Sequence, residues 1–243
     1  METINHQPGV HRPIWKIIIQ KVFKFIKWFF IVSIGSVVLF RFIPIPFTPT
    51  MIYNIGVQLF DSDRKLYLAK DWEELSNISP KMQMAVVCAE DQLFFSHNGF
   101  DMIAIKKALR NNERGRKLKG GSTISQQTAK NVFCLPHRNY LRKGIEAYFT
   151  ILIELLWSKD RIMEVYLNVI EFGNGIYGVQ AASQYFFQKD VINLSSDEAA
   201  LLASTLPNPI IYKANKPTKY VLRRKSWIRR QMSHYNSVEA LQH

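Results

Sequence analysis

The stretch LRKGIEAYFTILIELLWSKDRIMEVYLNVIEF, residues 141–172, decides the fold class. Its first part is typical of a long helix that is apolar on nearly every side in its second half, which predicts a buried helix. Ser158 is a favoured helix cap and predicts the start of another helix directly afterwards. Two consecutive helices at this point indicate a mainly α protein, for which about two hundred residues suffice to build one core.

Capping residues precede further segments with helical spacing. These signals are Ser79 and Pro80 before residues 81–92, Asp101 before 102–110, Ser122 and Thr123 before 124–133, and the capping box of Ser195 and Glu198. The stretch YVLRRKSWIRRQM, residues 220–232, predicts a basic C-terminal helix. Strand signals are few, and they predict at most a short hairpin between Val57 and Leu68.

Composition excludes several classes of protein. The chain has 243 residues, of which 47% are hydrophobic and 21% charged, so it is not a disordered chain. Its two cysteines are too few for a disulfide scaffold or for a zinc site made of four thiolates. The net charge of +13 indicates an anionic partner, which could be nucleic acid, an anionic membrane surface or a phosphorylated substrate.

A basic segment precedes an uncharged apolar run near the N-terminus. Several lysines come before Trp28–Phe40, and apolar sequence continues to Phe47 apart from Arg41. Residues 28–47 are enough to cross about 30 Å of hydrocarbon as a helix rising ~1.5 Å per residue. Because no small-residue cleavage site follows the run, the sequence favours an uncleaved single-pass anchor over a signal peptide.

The distribution of charge around this run predicts its orientation. Basic residues cluster before it, so the positive-inside rule predicts a cytoplasmic tail at 1–27, a transmembrane anchor at 28–47 and an exported domain at 48–243. In a bacterium this describes an inner-membrane protein with a periplasmic domain, which disfavours nucleic acid as the partner. Cys88 and Cys134 would then face an oxidising compartment, but their apolar neighbours favour two buried free thiols over a disulfide.

Two short motifs and one group of side chains are better explained without special chemistry. GNGIYG, residues 173–178, matches a dinucleotide-binding pattern, but helical sequence precedes it, which favours a glycine turn between helices. SDRK, residues 62–65, matches S-x-x-K without the KTG triplet that should accompany it. His97, Asp91 and Asp101 could gather a cation, although such residues more often cap turns or brace loops.

The stretch AEDQLFFSHNGFD, residues 89–101, contains a candidate catalytic carboxylate. Glu90 ends an apolar helix and enters an aromatic loop. Partial loss of hydration there would raise the pKa of Glu90 and suit it to proton transfer near neutral pH. The alternative, a solvated pair formed by Glu90 and Asp91 at a helix end, stays open on these residues alone.

A second cluster is rich in hydrogen-bond donors and cations. GGSTISQQTAKN, residues 120–131, supplies hydroxyl, amide and ammonium groups suited to an anionic ligand with many hydroxyls. Farther on, Glu146 lies one helical turn after Arg142 and Lys143. Lys130, Arg138 and Lys143 could converge as a clamp for a diphosphate, whereas each alone could equally lie on a solvated basic face.

Taken together, these motifs resemble the family 51 glycosyltransferases, and most closely the monofunctional peptidoglycan transglycosylases of proteobacteria, from about residue 45 to the end. The motifs, in order, are residues 89–101, 120–131, 142–147 (RKGIEA), 158–178 and 198–209 (EAALLASTLPNP). The first three fit the patterns E-D-x-x-F-x-x-H-x-G, G-x-S-T-x-x-Q-Q-x-x-K-N and R-K-x-x-E. Ser125 stands where many members have threonine, which keeps the hydroxyl group.

The resemblance implies a mainly α fold with a lysozyme-like glycosyltransferase lobe and a small membrane-associated lobe, joined to one N-terminal transmembrane helix. It implies polymerisation of lipid II into β-1,4 glycan strands, with inversion at the anomeric carbon and release of undecaprenyl diphosphate. Glu90 would be the general base on the acceptor 4-hydroxyl, and Glu146 would assist near the donor diphosphate. The implied substrate-binding residues are Ser122, Thr123, Gln127, Lys130, Arg138 and Lys143.

Two other functions stay open. A lytic muramidase of lysozyme-like fold also depends on a glutamate, but it has no need of a diphosphate clamp. An inactive membrane-anchored scaffold would need neither Glu90 nor Glu146. No motif for a cofactor is present, although Mg²⁺ or Mn²⁺ could accompany the diphosphate. The expected partners are lipid II, the growing glycan strand, the inner membrane, and proteins of cell division or cell-wall synthesis.

Overall fold

The structure is a computed structural model that describes residues 14–60, 67–113, 121–136 and 139–239. The chain divides into two compact units, residues 1–42 and 43–243. The predicted clamp residue Arg138 lies outside the described residues.

The first unit contains one helix, α1, which runs from Ile14 to Phe40. In the described part of the chain it is the one helix long and apolar enough to cross a membrane, with a mean hydropathy of 1.9 in its most apolar window. It begins earlier than the predicted span and ends before Phe47, because Pro44 and Pro46 cannot continue a helix. The predicted boundaries of tail, anchor and exported domain stay predictions.

The second unit is built mainly of helices. Its elements are α2 (Pro49–Phe60), β1 (Ala69–Lys70), a 3₁₀ turn (Leu75–Asn77), α3 (Pro80–Glu90), α4 (Met102–Glu113), α5 (Ile124–Phe133), α6 (Tyr140–Leu156), α7 (Lys159–Val169), β2 (Glu171–Gly173), β3 (Ile176–Tyr177), α8 (Val179–Phe187), a 3₁₀ turn (Val191–Asn193), α9 (Ser196–Thr205) and α10 (Lys219–Glu239). This confirms the mainly α prediction.

The predicted capping residues begin most of these helices. Thr123 and Gln126 form a capping box at the start of α5, and Ser158 accepts a hydrogen bond from the backbone of α7. Asp101 accepts a hydrogen bond from the first turn of α4. Ser79 makes no side-chain capping bond, so α3 begins at Pro80, whose fixed φ suits a first turn.

The core forms where α9 packs against α3 and α10, and where α5 packs against α6 and α7. Side chains from these helices are fully buried; examples are Met82, Ile124, Ile153, Ile162, Tyr166 and Leu202. Cys88 and Cys134 are buried and free, which confirms the prediction of unpaired thiols. This packing brings the end of α3, the middle of α5 and the first half of α10 to one cleft.

The prediction that the second half of α6 is buried all round is wrong. Ile153 is fully buried, but Ile151 is 50% exposed and Leu155 75% exposed. The reason is that α5 and α7 cover one side of α6 and leave the apolar side chains of the opposite side uncovered.

Two predictions about extended structure are also wrong. Val57–Phe60 belongs to α2 rather than to a hairpin, while residues 61–66 lie outside the described residues. GNGIYG does not simply turn between helices, because it closes a hairpin of β2 and β3, with β1 parallel to β3. Gly175 has a φ of 72°, and a Cβ there would lie 2.0 Å from the carbonyl oxygen of Tyr67, so only glycine fits this turn.

Candidate active site

Glu90 is the last residue of α3 and lies at the wall of a large cleft. The cleft has a volume of about 1090 Å³ and is open to solvent. It is lined by Ala89, Glu90, Ser122, Gln127, Lys130, Leu206, Pro207, Tyr220, Arg223, Arg224 and Trp227. Three helices that are distant in sequence, α3, α5 and α10, therefore place charged side chains around one space.

The carboxylate of Glu90 is held by two hydrogen bonds. Gln127 donates from Nε2 to Oε2 at 3.0 Å, and Arg224 donates from Nη2 to Oε1 at 3.0 Å. Arg224 also donates to the carbonyl oxygen of Ala89, which fixes the guanidinium at the end of α3. Tyr166 donates weakly to Gln127 at 3.5 Å, so the orientation of Glu90 is supported from the core.

Burial raises the pKa of Glu90 above its ordinary value. The hydrogen bond from Gln127, the charge of Arg224 and the charge of Lys130 act in the opposite direction, but they do not cancel the loss of hydration. The side chain is 16% exposed, so it still reaches the cleft. The raised pKa makes this carboxylate a stronger base than an ordinary glutamate, which is the direction predicted for a general base.

Lys130 lies on α5 and faces the same cleft as Glu90. Within the described ranges, no hydrogen bond or ion pair to its ammonium group is found. Burial lowers the pKa of Lys130, whereas the nearby charge of Glu146 raises it. A partly buried cation with no protein partner is costly, so this ammonium group is well suited to an anionic ligand.

Glu146 lies in the second turn of α6 and is buried. Arg142 donates from Nη1 to Oε2 at 2.8 Å, and Lys143 donates to Oε1. Lys143 is half-exposed and does not line the Glu90 cleft. The structure therefore joins Lys143 to Glu146 and brings Glu146 near Lys130. Of the two clamp residues that it describes, Lys130 lines the cleft and Lys143 does not.

The two predicted hydroxyl residues have different surroundings. Ser122 is exposed and lines the cleft. Thr123 is buried, and its hydroxyl donates to the carbonyl oxygen of Gly99 while accepting from the backbone of Gln126. Its hydroxyl therefore links the start of α5 to the loop after α3.

Asp91, next to Glu90, stabilises the loop that follows α3. Its carboxylate accepts hydrogen bonds from His97 at 2.9 Å and from the backbone N–H of Ile124 at 3.0 Å. Asp101 instead caps α4, so these three residues do not form a cation site together. Across the described ranges, no group of three or more His, Cys, Asp or Glu side chains could hold a metal ion.

Sequence reasoning missed the contribution of α10. Arg224 contacts Glu90 across 134 residues of sequence, and Trp227 lines both the Glu90 cleft and a neighbouring cavity of about 310 Å³. The only available signal was the basic, aromatic composition of the C-terminal helix, which does not reveal which face of that helix meets α3.

The fold is mainly helical, and the site places a partly buried carboxylate and a partly buried cation on one cleft. Comparison with known proteins identifies the class: the sequence profile described as Transglycosylase matches residues 62–233. The chain therefore belongs to the transglycosylase family, whose catalytic domain is lysozyme-like.

Relatives from several bacteria match most of the chain. A protein of Haemophilus influenzae is 51% identical over 216 residues, which cover 88% of this chain and 87% of the relative. One from Pasteurella multocida is 49% identical, with 90% and 89% covered, and one from Bacteroides thetaiotaomicron is 47% identical, with 92% and 90% covered. Each is described as a biosynthetic peptidoglycan transglycosylase.

Proposed function

We propose that this protein is a peptidoglycan glycosyltransferase that polymerises lipid II into β-1,4 glycan strands. The acceptor 4-hydroxyl attacks the anomeric carbon of the donor as the bond to the lipid diphosphate breaks. Undecaprenyl diphosphate leaves with the bonding electrons, and the configuration at the anomeric carbon inverts. Direct displacement needs no covalent intermediate with the protein.

The observation that carries the proposal is that Glu90 and Lys130 line the same cleft. Glu90 is a carboxylate with a raised pKa that faces the open space and is oriented by Gln127 and Arg224. Lys130 is a cation on the same cleft wall that lacks a protein partner among the described residues. One group suits removal of the hydroxyl proton, and the other suits the charge of a diphosphate.

The roles of the other site residues follow from their contacts. Ser122 offers an exposed hydroxyl to the ligand, whereas Gln127 acts mainly by holding Glu90. Glu146 holds Lys143, and its charge raises the pKa of Lys130, so it organises the cations rather than taking the proton. Arg138 would complete the clamp, and Thr123 would help to hold the loop against which the substrate lies.

The N-terminal helix fits an enzyme whose substrate is carried by a lipid. We infer that α1 anchors the protein in the inner membrane, with the N-terminus in the cytoplasm and the catalytic domain in the periplasm. The lysines before Trp28 support this orientation. Mg²⁺ or Mn²⁺ would enter with the diphosphate as part of the substrate, and proteins of cell division or cell-wall synthesis would recruit the enzyme.

Labelled lipid II tests the activity directly. The full-length protein in detergent micelles should convert it to a polymer that lysozyme digests to disaccharide units, and Glu90→Gln should not. A wild-type preparation that shortens preformed glycan strands but leaves lipid II unchanged would instead establish a lytic muramidase. A folded wild-type protein that does neither would favour the scaffold.

Fusions to alkaline phosphatase test the topology. Alkaline phosphatase becomes active only when it folds outside the cytoplasm. Fusions of it after residue 70 and after the C-terminus should therefore both be active. Inactive fusions, or a mature N-terminus beyond residue 40, would contradict an uncleaved anchor with an exported domain.

A further inference from the structure

A second cavity of about 520 Å³ shares no residue with the Glu90 cleft. It lies where the β2–β3 turn meets the end of α8 and the segment between α9 and α10. The side chains relevant to binding are Tyr67, Tyr185, Lys213, Lys216, Asn174 and Asn215. We call this space the tyrosine–lysine cavity; its volume is in the range of ~300–1,000 Å³ that is usual for ligand pockets.

Two tyrosine rings form an exposed aromatic wall of this cavity. The ring centroids of Tyr67 and Tyr185 are 6.0 Å apart, with a 57° angle between the ring planes. Their side chains are 41% and 52% exposed, so ring surface remains in contact with water. Exposed aromatic rings in a concave site are suited to cover the apolar C–H face of a sugar ring while their hydroxyl groups stay hydrated.

The backbone holds Tyr67 in place before any ligand binds. The backbone N–H of Tyr67 donates to Oε1 of Gln58 at 2.9 Å. Because Gly175 has no side chain, the carbonyl oxygen of Tyr67 can approach the β2–β3 turn closely. Next to it, Ala69 donates to the carbonyl oxygen of Gly175 at 2.8 Å. A preformed wall reduces the entropy lost on binding.

Two lysines are held side by side at another wall. Lys213 and Lys216 form an isolated antiparallel bridge, and the buried Ala214 anchors the turn between them. Both lysines are exposed, and in the part of the chain that the structure describes neither has an anionic partner. Like charges that face each other across a bridge are destabilising, so this turn favours an anionic ligand that contacts both lysines.

The remaining polar groups are amides. Asn174 lies at the tip of the β2–β3 turn, Asn215 lies between the two lysines, and both side chains are exposed. An amide side chain both donates and accepts hydrogen bonds, as sugar hydroxyls and N-acetyl groups require. The combination of aromatic rings, amides and paired cations therefore matches a saccharide that also carries carboxylates.

We propose that the tyrosine–lysine cavity is a second binding site, away from the reacting centre, for the peptide-bearing glycan strand. The inference rests on the proposed function for the identity of that strand. The tyrosines would contact the sugar rings, and Lys213 and Lys216 would pair with carboxylates of the peptide branch. Binding a strand at a second point raises its effective concentration at the Glu90 cleft, which slows its release between additions.

Binding can be measured without turnover. Soluble uncross-linked glycan fragments, with and without their peptide branches, are titrated into the full-length protein in detergent. The double variant Lys213→Glu with Lys216→Glu should weaken binding of the peptide-bearing fragment roughly tenfold, as expected for two exposed charge contacts worth up to about fivefold each. It should leave the peptide-free fragment unaffected, whereas Tyr185→Ala should weaken both.

Lys81→Glu, a charge reversal on the exposed side of α3, is the matched control and should change neither affinity. Unchanged affinity in the double variant and in Tyr185→Ala would overturn the proposal. The proposal would also fail if the free peptide branch, without sugar, bound as tightly as the peptide-bearing glycan fragment. Thermal unfolding checks that the variants fold, and Lys213→Gln with Lys216→Gln provides a milder pair if charge reversal prevents folding.

Polymer length gives an independent readout. On lipid II, the double variant should form glycosidic bonds at the wild-type initial rate but release shorter strands, while Lys81→Glu should give wild-type lengths. Wild-type lengths in the double variant would contradict retention at this cavity. Failure of the proposed function would look different, because the wild-type protein would then make no polymer while the binding titrations could still be read.

Discussion

Replacing Glu90 with glutamine should abolish polymerisation without destabilising the protein. The substitution keeps the shape of the side chain and removes its ability to accept the acceptor's proton. A positioned general base contributes ~10²–10⁴-fold to such a step, so turnover of lipid II should fall at least about 100-fold. Binding of the donor should persist, because Lys130 is unchanged.

The stability part of this prediction follows from the direction of the pKa shift. Because burial raises the pKa of Glu90 in the folded protein, the stability it contributes is fully present below its ordinary pKa and is lost as pH rises through the raised value. Ionisation of Glu90 therefore opposes folding. Glu90→Gln should melt no more than about 3 °C below the wild type, a change of ~1 kcal/mol.

The local contacts allow this substitution. The new amide can still accept the hydrogen bond from Arg224 through its oxygen. Gln127 can rotate its own amide to accept from the new NH₂ group, at the expense of the weak 3.5 Å contact from Tyr166. The loss of activity should therefore not arise from a collapsed cleft.

Glu171→Gln is the matched control. Burial also raises the pKa of Glu171, but this residue lies on β2 and does not line the Glu90 cleft. Lipid II turnover, affinity for a phosphoglycolipid inhibitor and thermal unfolding are measured for both variants. If Glu90→Gln keeps more than about a tenth of wild-type turnover, or if Glu171→Gln loses as much activity, Glu90 is not the base.

Three further predictions concern the cations of the site. Arg224→Met should move the acid limb of the rate–pH profile to higher pH, because Arg224 lowers the pKa of Glu90; an unmoved limb would disprove this coupling. Glu146→Gln should weaken inhibitor binding increasingly as pH rises, since Glu146 raises the lowered pKa of Lys130, and titration calorimetry at several pH values measures the trend. Lys130→Ala should lower donor affinity about 10- to 100-fold, from a charged contact of ~1.5–3 kcal/mol, and wild-type affinity in this variant would remove Lys130 from the clamp.

The helices of the catalytic domain were largely predictable from the sequence. Capping residues act on backbone groups within three or four positions, so Thr123 and Ser158 mark the starts of α5 and α7 wherever these helices pack. The β2–β3 hairpin was missed because strands of three and two residues are too short to show an alternating pattern. Its glycine requirement arises from the close approach of Tyr67, which is distant in sequence.

The sequence by itself determined the family motifs, the candidate base Glu90 and the cationic residue types, because these depend on residue identity and local spacing. Only the tertiary structure decided which of those cations faces the cleft, that Arg224 holds Glu90, and that Tyr67 and Tyr185 share a cavity with Lys213. The physical reason is that hydration and charge–charge distance depend on how distant segments pack. The pKa of a carboxylate at a helix end rises when helices such as α5 and α10 close around it and exclude part of its water.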